Sequence, residues 1–167
     1  MIIQILTGFA EWLGRTPLTE VVAGHFWIVP ALQTIHILAV AAVLISVLLI
    51  NLRVAGLVEG GQPVAVILDR YLRPTAIAVA VLAVTGFLLI AGEPTRAIFR
   101  TIFWTKMAFI VAALVLTWSH RPAFAIQGAR ATPARRGIAV VALLLWLAVI
   151  VAGRWIAYVE AWPGAPE

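Results

Sequence analysis

Cysteine is absent from this chain, and that gap removes disulfides, iron–sulfur clusters, thiolate zinc sites, cysteine nucleophiles and haem attached through a CxxCH motif. Charge is almost as scarce. Only 11% of the 167 residues are Asp, Glu, Lys or Arg, against 63% hydrophobic, and the mean hydropathy is +1.07. A soluble domain carries about a quarter charged residues, so this composition folded in water would expose a large apolar surface. The class is integral membrane. Two methionines are too few for a methionine-rich copper path. HExxH, GxSxG, a Gly-rich phosphate loop and paired intramembrane carboxylates are all missing, as are internal repeats and low-complexity segments. With no catalytic motif the chain does not read as an enzyme, and any chemistry rests on histidine, carboxylate, arginine or lysine.

The net charge of +5 and pI near 11.1 do not mark a nucleic-acid binder, because the arginines sit singly at the edges of apolar runs. They read as a topology signal. Crossing about 30 Å of hydrocarbon takes roughly twenty apolar residues in a helix, and four runs qualify. The spans are expected at about 30–52, 74–92, 102–120 and 138–158. Pro30 suits a first helical turn. Gly92-Glu93-Pro94, His120-Arg121-Pro122 and Trp162-Pro163-Gly164 are the breakers that close the second, third and fourth spans. Residues 1–29 hold Glu11, Arg15, Pro17 and Glu20 among too few apolar residues to span, and lack the basic start and cleavage site of a signal peptide. They are expected to form an interfacial segment, with 161–167 a tail.

Four spans put both termini on one side. The loops on the other side carry Arg53, Arg70, Arg73, Arg121, Arg130, Arg135 and Arg136, against Arg15, Arg96, Arg100, Lys106 and Arg154 on the terminal side. The positive-inside rule then makes the arginine-rich loops cytoplasmic and the termini periplasmic, in a bacterial inner membrane. The terminal side also carries most of the aromatic belt: Trp12, Phe26, Trp27, Phe99, Phe103, Trp104, Trp155, Tyr158 and Trp162. The expected fold is all-α, an up-and-down four-helix membrane bundle with an N-terminal interfacial helix. Ala39, Ala41, Ala42, Ser46 and Gly86 supply close helix contacts.

An ionisable side chain at a span centre costs on the order of 2.5–3.5 kcal/mol, so those present usually face a bundle interior or a wet cavity. His36 lies about 8 Å below the terminal side at 1.5 Å per residue. Gln33 is nearly a turn above it. Lys106, Arg154 and Thr85 fall at similar depth on the other three spans. Each span thus brings one polar group to the outer half of the bundle. The expected site is a periplasm-facing pocket of His36, Thr85, Lys106, Arg154 and Gln33 for an anionic or redox-active ligand. In the competing reading, Lys106 and Arg154 snorkel to headgroup phosphates while His36 satisfies a backbone carbonyl.

His25 and His36 are eleven residues apart, which on one helix means about 16 Å along the axis, too far for a shared metal ion. His25 is therefore only a weak metal candidate. His120 lies at the opposite end of its span. A haem b site thus finds one axial candidate, His36, and no evident second.

The segments with these polar residues also carry a resemblance. Pro30-Ala31-Leu32-Gln33-Thr34-Ile35-His36, Asn51-Leu52-Arg53-Val54-Ala55-Gly56, Phe103-Trp104-Thr105-Lys106, and Trp146 with Gly153-Arg154-Trp155-Ile156-Ala157-Tyr158 resemble a bacterial family of small four-helix membrane proteins of unknown function. The resemblance extends over nearly the whole chain. It implies that His36, Arg53, Lys106 and Arg154 are family features. Two positions depart from the family pattern: Gln33 stands where an acid is usual, and Asn51 where an Asp is usual. Both remove a negative charge, and if the family uses that acid for protons or cations, this chain lacks the activity.

Three functions are open at this point. The leading one is a ligand-binding or electron-transfer membrane subunit of haem b or quinone type, with Lys106 and Arg154 pairing with propionates or another anion. The second is a non-catalytic accessory subunit of a larger membrane complex, its partners the bilayer and other membrane or periplasmic subunits. A small transporter component comes last, because the cytoplasmic half of the spans is almost wholly apolar.

Overall fold

The computed structural model describes residues 2–58, 61–94, 98–124 and 131–158, and these are all-helical, with no strand among them. The helices are α1 (Ile2–Gly14), α2 (Pro17–Gly24), α3 (Ile28–Ala55), α4 (Val64–Gly92), α5 (Thr101–Trp118), α6 (His120–Ala123) and α7 (Pro133–Tyr158). Four stretches are long and apolar enough to cross a membrane: α3, α4, α5 continued to Ala123, and α7. Their outer faces are lined with Ile37, Leu38, Ile77, Val84, Val111, Val115, Leu144 and Leu147, all exposed. Such faces belong in lipid. The chain is a multi-pass membrane protein.

Two helices begin earlier than the charge pattern suggests. α4 starts at Val64, ten residues before the expected span, and runs through Pro74. Its first three turns are amphipathic, with Leu68, Leu72 and Thr75 buried at helical spacing while Asp69, Arg70 and Arg73 are exposed. Pro74 is itself exposed, so the carbonyl that loses its amide partner faces outward, and the next residue adds a bond from Thr75 Oγ1 to the Tyr71 carbonyl at 2.6 Å. α7 starts at Pro133. The Thr132 hydroxyl accepts the Arg135 amide at 3.3 Å and its carbonyl accepts the Arg136 amide at 3.0 Å, an N-terminal cap with proline in the first turn.

α3 ends in a Schellman motif. The Gly56 amide bonds to the Arg53 carbonyl (3.2 Å) and the Leu57 amide to the Leu52 carbonyl (3.0 Å), with Gly56 at φ +76°. Arg53 then holds the following turn, donating to the carbonyls of Val58 (3.2 Å) and Gln62 (2.9 Å). The Asn-Leu-Arg-x-x-Gly element is thus in good part a helix terminator.

The chain divides into two compact units, residues 1–42 with 77–101, and 43–76 with 102–167. In the first, Ala10, Leu13, Val22, Ala39, Ala78, Ala91 and Ile98 are buried. The Thr19 hydroxyl lies 2.7 Å from the Leu13 carbonyl and 2.8 Å from the Ala91 carbonyl, tying α2 to α1 and to the end of α4. A Cβ on Gly92 would sit 3.1 Å from Val22 Cγ1, a tight contact, so α2 packs closely against the end of α4 at this glycine. In the second unit, Ile50, Val54, Leu68, Leu72, Phe124 and Ala139 form one apolar cluster, flanked by Tyr71 and Trp118.

Candidate functional site

In the first unit α3 and α4 bring His36 and Thr85 together. His36 Nδ1 lies 2.7 Å from Thr85 Oγ1, and that hydroxyl lies 2.8 Å from the Val81 carbonyl, one turn back on its own helix. A hydroxyl has one proton. Given to Val81, it leaves Oγ1 to accept from His36 Nδ1–H. Thr85 is buried and His36 half-buried. Gly86 lies beside the ring, where a Cβ would stand 3.4 Å from His36 Cε1. Gln33 is exposed one turn earlier on α3. His25 is exposed where α2 ends, and its Nδ1 donates to the Val21 carbonyl at 3.0 Å, one of the carbonyls a helix end leaves unpaired. Among the described residues no cluster of three His, Asp or Glu could hold a metal ion.

Lys106 and Arg154 belong to the second unit. The Lys106 ammonium reaches α7 at Gly153, where a Cβ would lie 3.4 Å from Nζ. Lys106 is half-buried and Arg154 exposed. Beside them runs an apolar groove of about 420 Å³ between α5 and α7, lined by Ile102, Phe109, Leu144, Leu147, Ala148, Val151, Ala152 and Trp155. Arg96, Arg130, Trp162 and the 161–167 tail lie outside the described residues, as do the side chains of Ile156, Ala157 and Tyr158.

The second unit also contains a polar network that sequence reasoning missed. Asn51 Nδ2 donates to the Val47 carbonyl (2.8 Å) and to Thr117 Oγ1 (3.1 Å), which in turn donates to the Ala113 carbonyl (2.8 Å) and accepts from Trp146 Nε1 (3.4 Å). His120 Nε2 donates to Asn51 Oδ1 at 3.2 Å. Asn51, Thr117 and His120 are fully buried, and His120 Nδ1 has no hydrogen-bond partner among the described residues. The network joins α3, α5, α6 and α7 by side chains whose alternative is an unsatisfied polar group in an apolar interior. Part of its signal was present in the sequence, because Asn51 and His120 close the first and third spans at the same end. Arg135 extends the polar region, donating to the Ser119 carbonyl at 2.8 Å at the end of α5.

Fold and sites together define an all-helical, multi-pass membrane protein with polar side chains set at particular depths in its spans. The chain belongs to a family of unknown function, DUF6644, which covers residues 9–159. No curated protein and no solved structure matches it.

Proposed function

We propose that this protein is a ligand-binding or electron-transfer subunit of a bacterial inner membrane, holding a redox-active ligand of quinone or haem b type through His36. The observation that carries the reading is the His36–Thr85 pair. A second side chain held against Nδ1 fixes the orientation of the imidazole, as the outer partner of a ligating histidine does.

Haem b, if bound, would be held by His36 and would supply one-electron redox chemistry. His25, held to the Val21 carbonyl at the end of α2, is not part of this reading. Thr85 orients the ring, Gly86 lies beside it, and Gln33 offers an amide one turn away. In the second unit, Lys106 and Arg154 offer positive charge to an anionic group. The arginine-rich loops would face the cytoplasm and the termini the periplasm.

Two measurements on protein purified in mild detergent test this: a dithionite-reduced minus oxidised spectrum, and solvent extraction with chromatography for quinones. The reading expects a haem b signal or about one quinone per chain, lost in His36→Ala. Folded wild-type protein with neither ligand contradicts it.

A further inference from the structure

The apolar groove between α5 and α7 in the second unit has no part in the His36 reading. Ile102 and Phe109 line the groove from α5, and Lys106, four residues after the one and three before the other, lies on the same stripe of that helix. The groove lining is aliphatic and aromatic throughout, which suits a hydrocarbon chain. Lys106 stands beside it some 7 to 8 Å into α5 from Thr101, at 1.5 Å per residue. Its ammonium rests against the α7 backbone where Gly153 has no side chain. No hydrogen bond or ion pair joins Lys106 to another described residue. A half-buried cation at that depth calls for an anion. Arg154 adds a second positive charge next in sequence to Gly153, and Trp155, an interfacial residue type, lines the groove beyond it.

We propose that this groove is a specific site for one acidic phospholipid, with an acyl chain lying between α5 and α7 and the headgroup phosphate paired with the Lys106 ammonium. Charge complementarity selects this occupant. A second copy of the chain or an apolar partner helix would cover the groove and leave the ammonium unneutralised, whereas an acidic lipid satisfies groove and cation together. The site differs from ordinary snorkelling, in which the cation reaches whichever headgroups are nearby and the groove has no part.

Native mass spectrometry of delipidated protein decides the matter, with titrations of phosphatidylglycerol, phosphatidylcholine and inorganic phosphate. The expected result is one phosphatidylglycerol bound per chain, preferred over phosphatidylcholine by at least roughly fivefold, the value of one cation near a membrane surface. Inorganic phosphate alone should not bind. Lys106→Met should erase the preference and Lys106→Arg restore it. Ala148→Phe, which fills the groove from its half-buried wall, should remove lipid binding. Equal binding of the two lipids by wild type overturns the proposal, and so do a preference that survives Lys106→Met, undiminished binding in Ala148→Phe, or a lipid-free dimer. If a variant does not fold, the wild-type preference and Lys106→Arg still decide. Haem or quinone content is measured separately, so either proposal can fail alone.

Discussion

Asn51→Leu is the sharpest test of how the second unit holds together. Leucine has nearly the shape of asparagine but neither donates nor accepts. The Val47 carbonyl keeps its helical partner, and Thr117 Oγ1 keeps its bonds to Ala113 and Trp146. His120 does not recover. Its Nε2–H loses the 3.2 Å acceptor, in a ring with no exposed surface and no partner for Nδ1 among the described residues. An orphaned buried donor costs about 1–3 kcal/mol, and the long bond points to the lower half of that range. Side-chain hydrogen bonds in membrane proteins average about 0.6 kcal/mol with a maximum near 1.7. The expected loss is therefore about 1 kcal/mol, measured by SDS titration in mixed micelles with circular dichroism as the readout. His120→Phe and the double variant complete the cycle. Removing both partners should cost less than the sum of the single losses by about 0.6 kcal/mol or more. A single loss below about 0.3 kcal/mol with additive behaviour would refute the network as a stabilising unit.

Other consequences are checked individually. Thr85→Val removes the acceptor that orients His36, so ligand affinity should fall by about 10- to 100-fold, while Thr85→Ser should keep most of it; ligand titration of the depleted protein reads both. Gly56→Ala puts a side chain at φ +76° in the Schellman motif and should cost about 1–2 kcal/mol by the same SDS titration. Gly92→Ala brings a methyl within 3.1 Å of Val22 Cγ1. It should loosen α2 from the end of α4, seen as faster hydrogen exchange at the α2 amides with exchange at Asn51–Ala55 unchanged.

The membrane-crossing helices were legible because hydrocarbon is an unforgiving solvent and charge-free runs of the right length have few other uses. The start of α4 was not. Asp69, Arg70 and Arg73 suggest a loop when charge alone is counted, whereas Leu68, Leu72 and Thr75 recur with helical spacing and are the buried stripe. Depth counting put His36 and Thr85 at one level, and they are hydrogen-bonded. Gly153 in the Gly-Arg-Trp element is where the Lys106 ammonium meets α7, a pairing that neither segment shows by itself. Depth counting sets His120 at the end of the spans opposite His36 but does not show that its acceptor there is Asn51. Sequence spacing gives depth within one helix. Which helices are neighbours, and at what rotation, depends on packing that no single segment encodes.

The account rests most heavily on His36 as the residue that holds a redox-active ligand, and the direct measurement is cofactor content of wild-type and His36→Ala protein prepared side by side. Each sample is given a reduced-minus-oxidised spectrum and a quinone extraction, with helicity checked by circular dichroism. The account predicts haem b or a quinone in the wild type and its loss from an equally helical His36→Ala. The same cofactor content in both proteins, or none in either, would contradict it.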